Sequence, residues 1–160
     1  MIREVRADDA AAIAAINNYY ILNTTISFET EALSEAGMAD RISEVTELCP
    51  YFVYEEDGHV TGFCYAHPWK AREAYRVCCE TTVYVAPDCR RRGIGRALME
   101  RLISACRKRG THALIACITG DNTASCDFHA SLGFERVSYF REVGRKFDRW
   151  LDVTDYELIL

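Results

Sequence analysis

The chain has 160 residues, of which 49% are hydrophobic and 27% charged, and its formal net charge is −5. This balance predicts one globular domain and excludes a disordered chain, while the acidic charge argues against general affinity for nucleic acid. No apolar run approaches the roughly 20 residues of a membrane-spanning helix, and residues 1–6 lack the order of a signal peptide, so we expect a cytoplasmic protein without membrane or nucleic-acid partners.

The first half of the chain predicts alternating short strands and helices. In chain order these are a strand over 2–6, a helix ending near Tyr20, an irregular loop over 23–32, a helix over 34–47, and strands over 51–55, 59–66 and 77–86. Asp8 or Asp9 is expected to cap the first helix, because a short acidic side chain accepts hydrogen bonds from free helix N–H groups. Gly58 predicts a hairpin between the second and third strands, since glycine accepts positive φ.

The second half predicts a more regular alternation. Its elements are a helix over 94–109 closed by Gly110, a buried strand over 113–118, a helix over 123–132 closed by Gly133, and strands over 134–143 and 152–160. No repeat, linker or low-complexity tract divides the chain. The pattern predicts a single α/β (α+β) domain over 1–160, with a mixed sheet covered by helices on both faces.

The eight cysteines do not predict a metal site or a disulfide framework. No pair has zinc-ligand spacing, and neighbouring Cys78 and Cys79 point to opposite faces of a strand. Most are expected to be small buried apolar residues. We therefore expect no metal cofactor.

The segment from Val83 to Arg96 predicts a site for a diphosphate. A strand runs into a turn with Gly93 and Gly95 at the mouth of an amphipathic helix, where several N–H groups have no partner and the helix carries partial positive charge. Glycines let those N–H groups approach phosphate closely. The alternatives are a packing feature or a solvated basic helix face; a Walker A loop is absent, and Leu98 stands where a dinucleotide fingerprint needs a third glycine.

Two motifs in this context resemble the GNAT superfamily of acetyltransferases. Arg90-x-x-Gly93-x-Gly95 resembles its acetyl-CoA motif, and the later run from Asn122 through His129 to Gly133-Phe134 resembles the helix that borders the CoA arm. The resemblance implies a mostly antiparallel sheet with a splayed strand pair that holds the pantetheine. It implies that acetyl-CoA contacts Val83, Tyr84, Val85, Arg90, Arg91, Arg92, Gly93, Ile94, Gly95, Arg96, Asn122 and Ser125. It also implies that His129 protonates the CoA thiolate, where many members carry Tyr; the alternative is a partly buried helix residue.

Further motifs resemble the phosphinothricin and methionine sulfoximine N-acetyltransferases. They include Ser27-Phe-Glu-x-Glu, Pro68-Trp-Lys-Ala-Arg, Glu80-x-Thr82 and Val143-Gly-x-Lys-Phe147, so the resemblance spans nearly the whole chain. It implies an acceptor pocket formed by Phe28, Lys70, Arg72, Tyr75 and Thr82. It also implies a homodimer and a connection with antibiotic or herbicide resistance.

Glu80 is the predicted general base. Acetyl transfer needs a neutral amine, whereas an α-amine is largely protonated at pH 7, and a carboxylate beside the acetyl group can accept that proton. Apolar neighbours on the strand are expected to raise the pKa of Glu80. The backbone N–H of Val83 could stabilise the developing oxyanion. The alternative for Glu80 is an edge or ion-paired glutamate.

Three functions are consistent with these residues. The leading one is transfer of acetyl from acetyl-CoA to the α-amine of a small amino-acid-like compound. The second keeps the chemistry but takes a polyamine, an aminoglycoside or a peptide N-terminus as acceptor. The third is a CoA-binding module without transfer activity.

Overall fold

One mixed β-sheet with four helices accounts for the chain, and the computed structural model describes all 160 residues. The strands are β1 (Ile2–Glu4), β2 (Tyr51–Glu56), β3 (His59–Pro68), β4 (Cys78–Val85), β5 (Ala113–Thr119), β6 (Glu135–Arg136), β7 (Phe140–Lys146) and β8 (Arg149–Ile159). The helices are α1 (Ala10–Asn23), α2 (Glu35–Leu48), α3 (Ile94–Lys108) and α4 (Thr123–Ala130). No helix combines the length and the apolar character needed to cross a membrane.

The strand order across the sheet is β1-β2-β3-β4-β5-β8-β6, and β7 pairs with the other half of β8. β4 and β5 are parallel, whereas every other pair is antiparallel. A parallel pair needs a crossover connection, and α3 supplies it. This topology confirms the predicted α/β (α+β) fold with a mixed, mostly antiparallel sheet.

The helices cover both faces of the sheet, as predicted. Successive strand residues point to opposite faces, so β2, β3 and β4 each contribute to two separate cores. Val53 and Phe63 pack with α1 and α2 on one face. Phe52 and Cys64 pack with α3 on the other face.

The start of α1 differs from the expectation that Asp8 or Asp9 caps it. Asp9 precedes the helix, but its carboxylate does not accept a hydrogen bond from a helix N–H group. It accepts instead from the N–H of Arg6 at 2.7 Å and from the guanidinium of Arg3 at 2.7 Å. The cap prediction is wrong because Asp9 ends a 3₁₀ turn over Ala7–Asp9 that precedes α1. Its carboxylate binds the backbone N–H at the start of that turn, not at the start of the helix.

The C-terminal strands also differ from the prediction. The segment 134–143 forms two short strands that pair with different halves of β8, and β8 begins at Arg149 rather than at 152. A tight turn at Phe147 and Asp148, both with positive φ of 50° and 58°, joins β7 to β8. Neither residue is a glycine, so the sequence carries no turn signal there.

Candidate active site

A wedge opens between β4 and β5. The two strands pair only from Cys78 to Glu80 against Ala113 to Ile115, although both continue beyond these residues. A cavity of about 230 Å³ occupies the gap, with Glu80 and His129 among its lining residues. The expected splayed strand pair is therefore present, and the two strands separate just beyond Glu80.

Backbone groups of β4 alternate between its two neighbours. The N–H of Trp69 donates to the C=O of Cys78 at 3.3 Å, and the N–H of Ala86 donates to the C=O of Thr61 at 2.8 Å, both on the β3 side. In an antiparallel pair the N–H and C=O of one residue point to the same neighbouring strand, and successive residues alternate. The backbone groups of the even-numbered residues of β4 therefore point toward β3, and those of the odd-numbered residues point toward β5. The N–H and C=O of Val83 therefore point into the wedge, where β5 no longer pairs with them.

The turn between β4 and α3 presents a row of free backbone donors. Gly93 has φ of +81°, in the left-handed region that favours glycine. The N–H groups of residues 91–96 have no backbone acceptor in the chain. A groove of about 500 Å³ lies in front of them, and eleven of the twelve predicted cofactor residues line it. The geometry suits an anionic ligand, because free N–H groups and the helix dipole both favour negative charge.

The four arginines of this turn differ in where their side chains go. Arg90, Arg91 and Arg96 are lining residues of the groove, although the guanidinium of Arg96 donates to Oγ of Ser131 at 2.7 Å and lies 3.6 Å from Glu100. Arg92 does not: its guanidinium pairs with Glu56 at 2.8 Å, on the β2–β3 hairpin. Only the backbone of Arg92 belongs to the row of free donors.

Tyr20 supports this turn from α1 and was not among the predicted site residues. Its hydroxyl donates to the C=O of Val85 at 2.6 Å and accepts from Nε of Arg90 at 3.2 Å. Burial raises the pKa of Tyr20, with Arg90 opposing that shift, so the hydroxyl keeps its proton. The helical spacing of apolar residues marks Tyr20 as a core residue and gives no sign of this polar role.

Glu80 lies at the narrow end of the wedge. His67 lies directly opposite on β3, with its Nε2 4.0 Å from Oε1 of Glu80. Burial raises the pKa of Glu80, as the sequence predicted; the charge of His67 opposes this, and that of Asp155 adds to it. A half-buried carboxyl with a raised pKa that faces a cavity has the character of a general base.

His129 lines the same cavity from α4. It is 4% exposed, and its Nδ1 lies 2.8 Å from the C=O of Ser125. That contact assigns the proton to Nδ1, because a carbonyl only accepts. Burial lowers the pKa of His129, and the Ser125 carbonyl opposes the shift. The imidazole is therefore held neutral in the free protein.

Sequence similarity connects this geometry with a known family. The model of the family "Acetyltransferase (GNAT) domain" matches residues 2–154. The chain belongs to the GNAT acetyltransferase family. Among curated relatives, phosphinothricin N-acetyltransferase of Alcaligenes faecalis is 40% identical over 94% of this chain and 78% of its own length. L-methionine sulfoximine/L-methionine sulfone acetyltransferase of Salmonella typhimurium is 36% identical over 99% of this chain and 94% of its own length.

A solved structure resembles the chain throughout. A GNAT superfamily phosphinothricin acetyltransferase from Sinorhizobium meliloti in complex with AcCoA superimposes with a TM-score of 0.96 at 36% identity, covering 100% of this chain and 88% of that one. The family and this likeness agree with the splayed β4–β5 pair and the α3 turn described above.

The acceptor side of this GNAT protein contains only part of the predicted set. Phe28 and Thr82 line the cavity with Glu80. Lys70 and Arg72 do not; they border a separate depression next to Cys79. Tyr75 lies with that loop, its ring 5.3 Å from the Trp69 ring.

The cavity and the groove of this GNAT protein meet at shared lining residues. Val83, Tyr84, Asn122 and Ser125 border both. Several further lining residues were missed by the sequence interpretation, among them Ile26, which borders both spaces, and Ser27 and Cys117, which border the cavity. The irregular loop and the buried-strand pattern give no signal for these. No group of three His, Cys, Asp or Glu side chains that could hold a metal is present.

Proposed function

We propose that this GNAT protein transfers the acetyl group of acetyl-CoA directly to the α-amine of a small amino-acid-like acceptor. The observation that carries the proposal is the continuity of two spaces: a groove beneath free N–H groups, and a cavity that ends at Glu80. Cofactor and base thereby meet at one strand, β4. An anion-binding groove alone would fit a CoA-binding module equally well.

The cofactor half would bind acetyl-CoA mainly through backbone. The N–H groups of 91–96 suit its diphosphate, and Arg90, Arg91 and Arg96 stand beside them. The open edge at Val83 suits the amide groups of the pantetheine arm, because its N–H and C=O point toward β5 beyond the last β4–β5 pair, whereas the C=O of Val85 is already bonded to Tyr20. Asn122 and Ser125, at the start of α4, would border that arm from the other side.

The acceptor half would carry out proton removal and attack. Glu80 accepts a proton from the acceptor ammonium, and the neutral amine attacks the thioester carbonyl. The N–H of Val83 points into the wedge and would stabilise the oxyanion of the tetrahedral intermediate. Collapse breaks the carbon–sulfur bond, the attacking nitrogen releases its second proton, and the CoA thiolate takes up a proton from His129 or water, so no covalent acyl-enzyme is formed.

We propose that His129 donates the proton that the CoA thiolate takes up. For this role the imidazole must first gain a proton during turnover. Its pKa is lowered by burial and its Nδ1–H faces the Ser125 carbonyl, so the resting imidazole is neutral. Water at the open end of the cavity is the competing donor. Replacement by Asn distinguishes them, since loss of an essential acid lowers turnover by about 10²–10⁴-fold.

Phe28 and Thr82 would form walls of the acceptor pocket. Lys70, Arg72 and Tyr75 remain proposed acceptor contacts from the family resemblance, although a single chain does not bring them to Glu80. They would have to reach the pocket from a second copy or after movement of their loop.

We further propose a homodimer formed through the C-terminal strands. Large apolar side chains are exposed on this hairpin and the segment before it, namely Val137, Tyr139, Phe140, Val143, Phe147 and Trp150. Such a patch is typical of a protein interface. Trp150→Glu should convert a dimer to monomer in light scattering after size exclusion, while Lys108→Glu, on the surface of α3, should not. A wild-type monomer, or an unchanged mass for Trp150→Glu, would contradict this.

The test of the function is release of CoA thiol from acetyl-CoA across a panel of acceptors. We expect turnover with phosphinothricin, methionine sulfoximine or related amino acids, and none with polyamines or aminoglycosides. Turnover with the polycations alone would favour the second function. Binding of acetyl-CoA without turnover on any amine would favour a binding module. The cytoplasmic location and a connection with resistance remain predictions.

A further inference from the structure

One wall of the acceptor cavity is a loop without regular structure. Ile26, Ser27 and Phe28 line the cavity from the segment between α1 and α2. Such a loop is positioned by outside contacts rather than by its own hydrogen-bond ladder. The contacts that reach this wall therefore decide the shape of the space beside Glu80.

The charged side chain of Lys146, at the end of β7, contacts the wall. Its Nζ donates to the C=O of Ser27 at 2.6 Å, across 119 positions of the chain. Lys146 is only 6% exposed and Ser27 only 5% exposed. An ammonium is costly to bury unless it is paired, and the Ser27 carbonyl is its hydrogen-bond partner.

β7 also supports the wall through Gly144, two residues earlier. A Cβ at position 144 would lie 2.2 Å from the ring of Phe28, so the ring rests directly on the glycine backbone. Residues two apart on a strand share a face. Gly144 and Lys146 thus hold neighbouring parts of the same wall, one by close packing and one by a charged hydrogen bond.

Phe28 itself is 43% exposed although it is held on the protein side by Gly144. Phe28 lines the same cavity as Thr82 and Glu80. An aromatic face fixed in this way is suited to contact the side chain of a bound acceptor.

We propose that Lys146 is a positioning residue for acceptor selection, which holds the Ile26–Phe28 wall in place through the carbonyl of Ser27. It does not contact the reacting atoms, since its ammonium is buried behind the wall. The inference rests on the proposed function, because it assigns Ser27 and Phe28, which border the cavity alone, to the acceptor; Ile26 also borders the acetyl-CoA groove. It predicts an effect on acceptor discrimination, with acetyl-CoA binding preserved.

The experiment compares kcat/KM for the preferred acceptor of the panel and for an analogue shortened by one methylene group. A rigid apolar pocket distinguishes such a pair by about 10- to 200-fold. In Lys146→Met, which keeps the chain length but removes the donor and the charge, we expect this ratio to fall toward one. The KM for acetyl-CoA should stay within about twofold of wild type, because Ser27 and Phe28, the residues that Lys146 and Gly144 contact, border the cavity and not the groove.

Two further variants show whether Lys146 acts through Phe28. Gly144→Ala forces the ring to move while leaving Lys146 in place, so it should also lower the ratio. In a protein that already carries Phe28→Ala, adding Lys146→Met should change the acceptor ratio much less than it does in the wild type, since the effects of coupled residues are not additive. Lys108→Met, on the exposed end of α3, is the matched control and should change nothing.

The outcomes separate the two proposals. Wild-type protein that acetylates no acceptor overturns the proposed function, and the inference falls with it. An active wild type together with a Lys146→Met variant of unchanged acceptor ratio overturns the inference alone. If Lys146→Met does not fold, by circular dichroism and thermal unfolding, Gly144→Ala decides in the same way: a retained ratio overturns the inference.

Discussion

The two halves of the active site are built by different means. The cofactor half is one continuous piece of chain, from β4 through the Gly93 turn into α3, and its donors are backbone N–H groups. The acceptor half is assembled from distant segments and works through side chains, with Phe28 held by β7 and Glu80 facing His67. Backbone donors serve any acyl-CoA ligand in the same way, whereas the side-chain walls are free to define one acceptor. Substitutions in the two halves should therefore affect different substrates.

The largest effect is expected for Glu80→Gln, which removes the proposed base but keeps the shape of the side chain. Turnover should fall by about 10²–10⁴-fold, because a positioned base contributes that much to proton transfer. The dissociation constant of acetyl-CoA, measured by calorimetry, should remain near the wild-type value. Glu73→Gln, an exposed residue on the 69–77 loop, is the control. Full activity in Glu80→Gln would remove Glu80 from the mechanism.

Gly95→Val, in the cofactor half, is expected to have the opposite pattern: it should weaken acetyl-CoA binding and leave the acceptor KM nearly unchanged. A Cβ at 95 would lie 3.7 Å from Phe128 and Val85, an ordinary contact, so the first carbon of a side chain fits, and the bulk beyond it is expected to narrow the groove that Gly95 lines. Acetyl-CoA affinity should fall by about 10- to 100-fold if one charged hydrogen bond is lost. The acceptor KM should change little; a change confined to the acceptor would contradict the division into two halves.

Gly93→Ala is the comparison for that variant. Its φ of +81° is strained for any residue with a Cβ, although the space around it is open. It should lower the free energy of unfolding by about 1–2 kcal/mol. The Gly95→Val variant should not share this loss, so a urea melt separates strain from blocked binding.

The same difference explains which parts of the site can be predicted from the sequence. A strand, a turn and a helix in succession imply their own contacts, so local pattern alone is enough to place Gly93 and Gly95 at the turn that lines the groove. The sequence does not reveal that Arg92 pairs with Glu56, because a run of arginines does not show which side chain turns away. The acceptor wall is harder still, since its support depends on tertiary contacts. Lys146 reaches Ser27 across 119 residues, and no local pattern encodes that pairing.

Arg72→Ala tests whether Arg72, which one chain keeps outside the Glu80 cavity, contacts the acceptor. Arg72 borders a depression outside the Glu80 cavity, so within one chain its loss should leave the acceptor KM unchanged. If a second copy supplies it, the KM of an anionic acceptor should rise by about 10-fold or more, since a charged hydrogen bond contributes about 1.5–3 kcal/mol. Measurement of KM against protein concentration, across the dimer–monomer range, distinguishes these outcomes.

The smallest effect concerns stability and pH. Burial raises the pKa of Glu80 above its ordinary value of 4.5, so the folded state favours the protonated form. Its contribution to stability is present at low pH and is lost as the pH rises through the raised value. Glutamine cannot ionise, and Glu80→Gln should therefore gain melting temperature relative to wild type as pH increases. A constant difference between the two proteins from about pH 4 to about pH 8 would mean that Glu80 is ionised without penalty, and that the wedge does not desolvate the base.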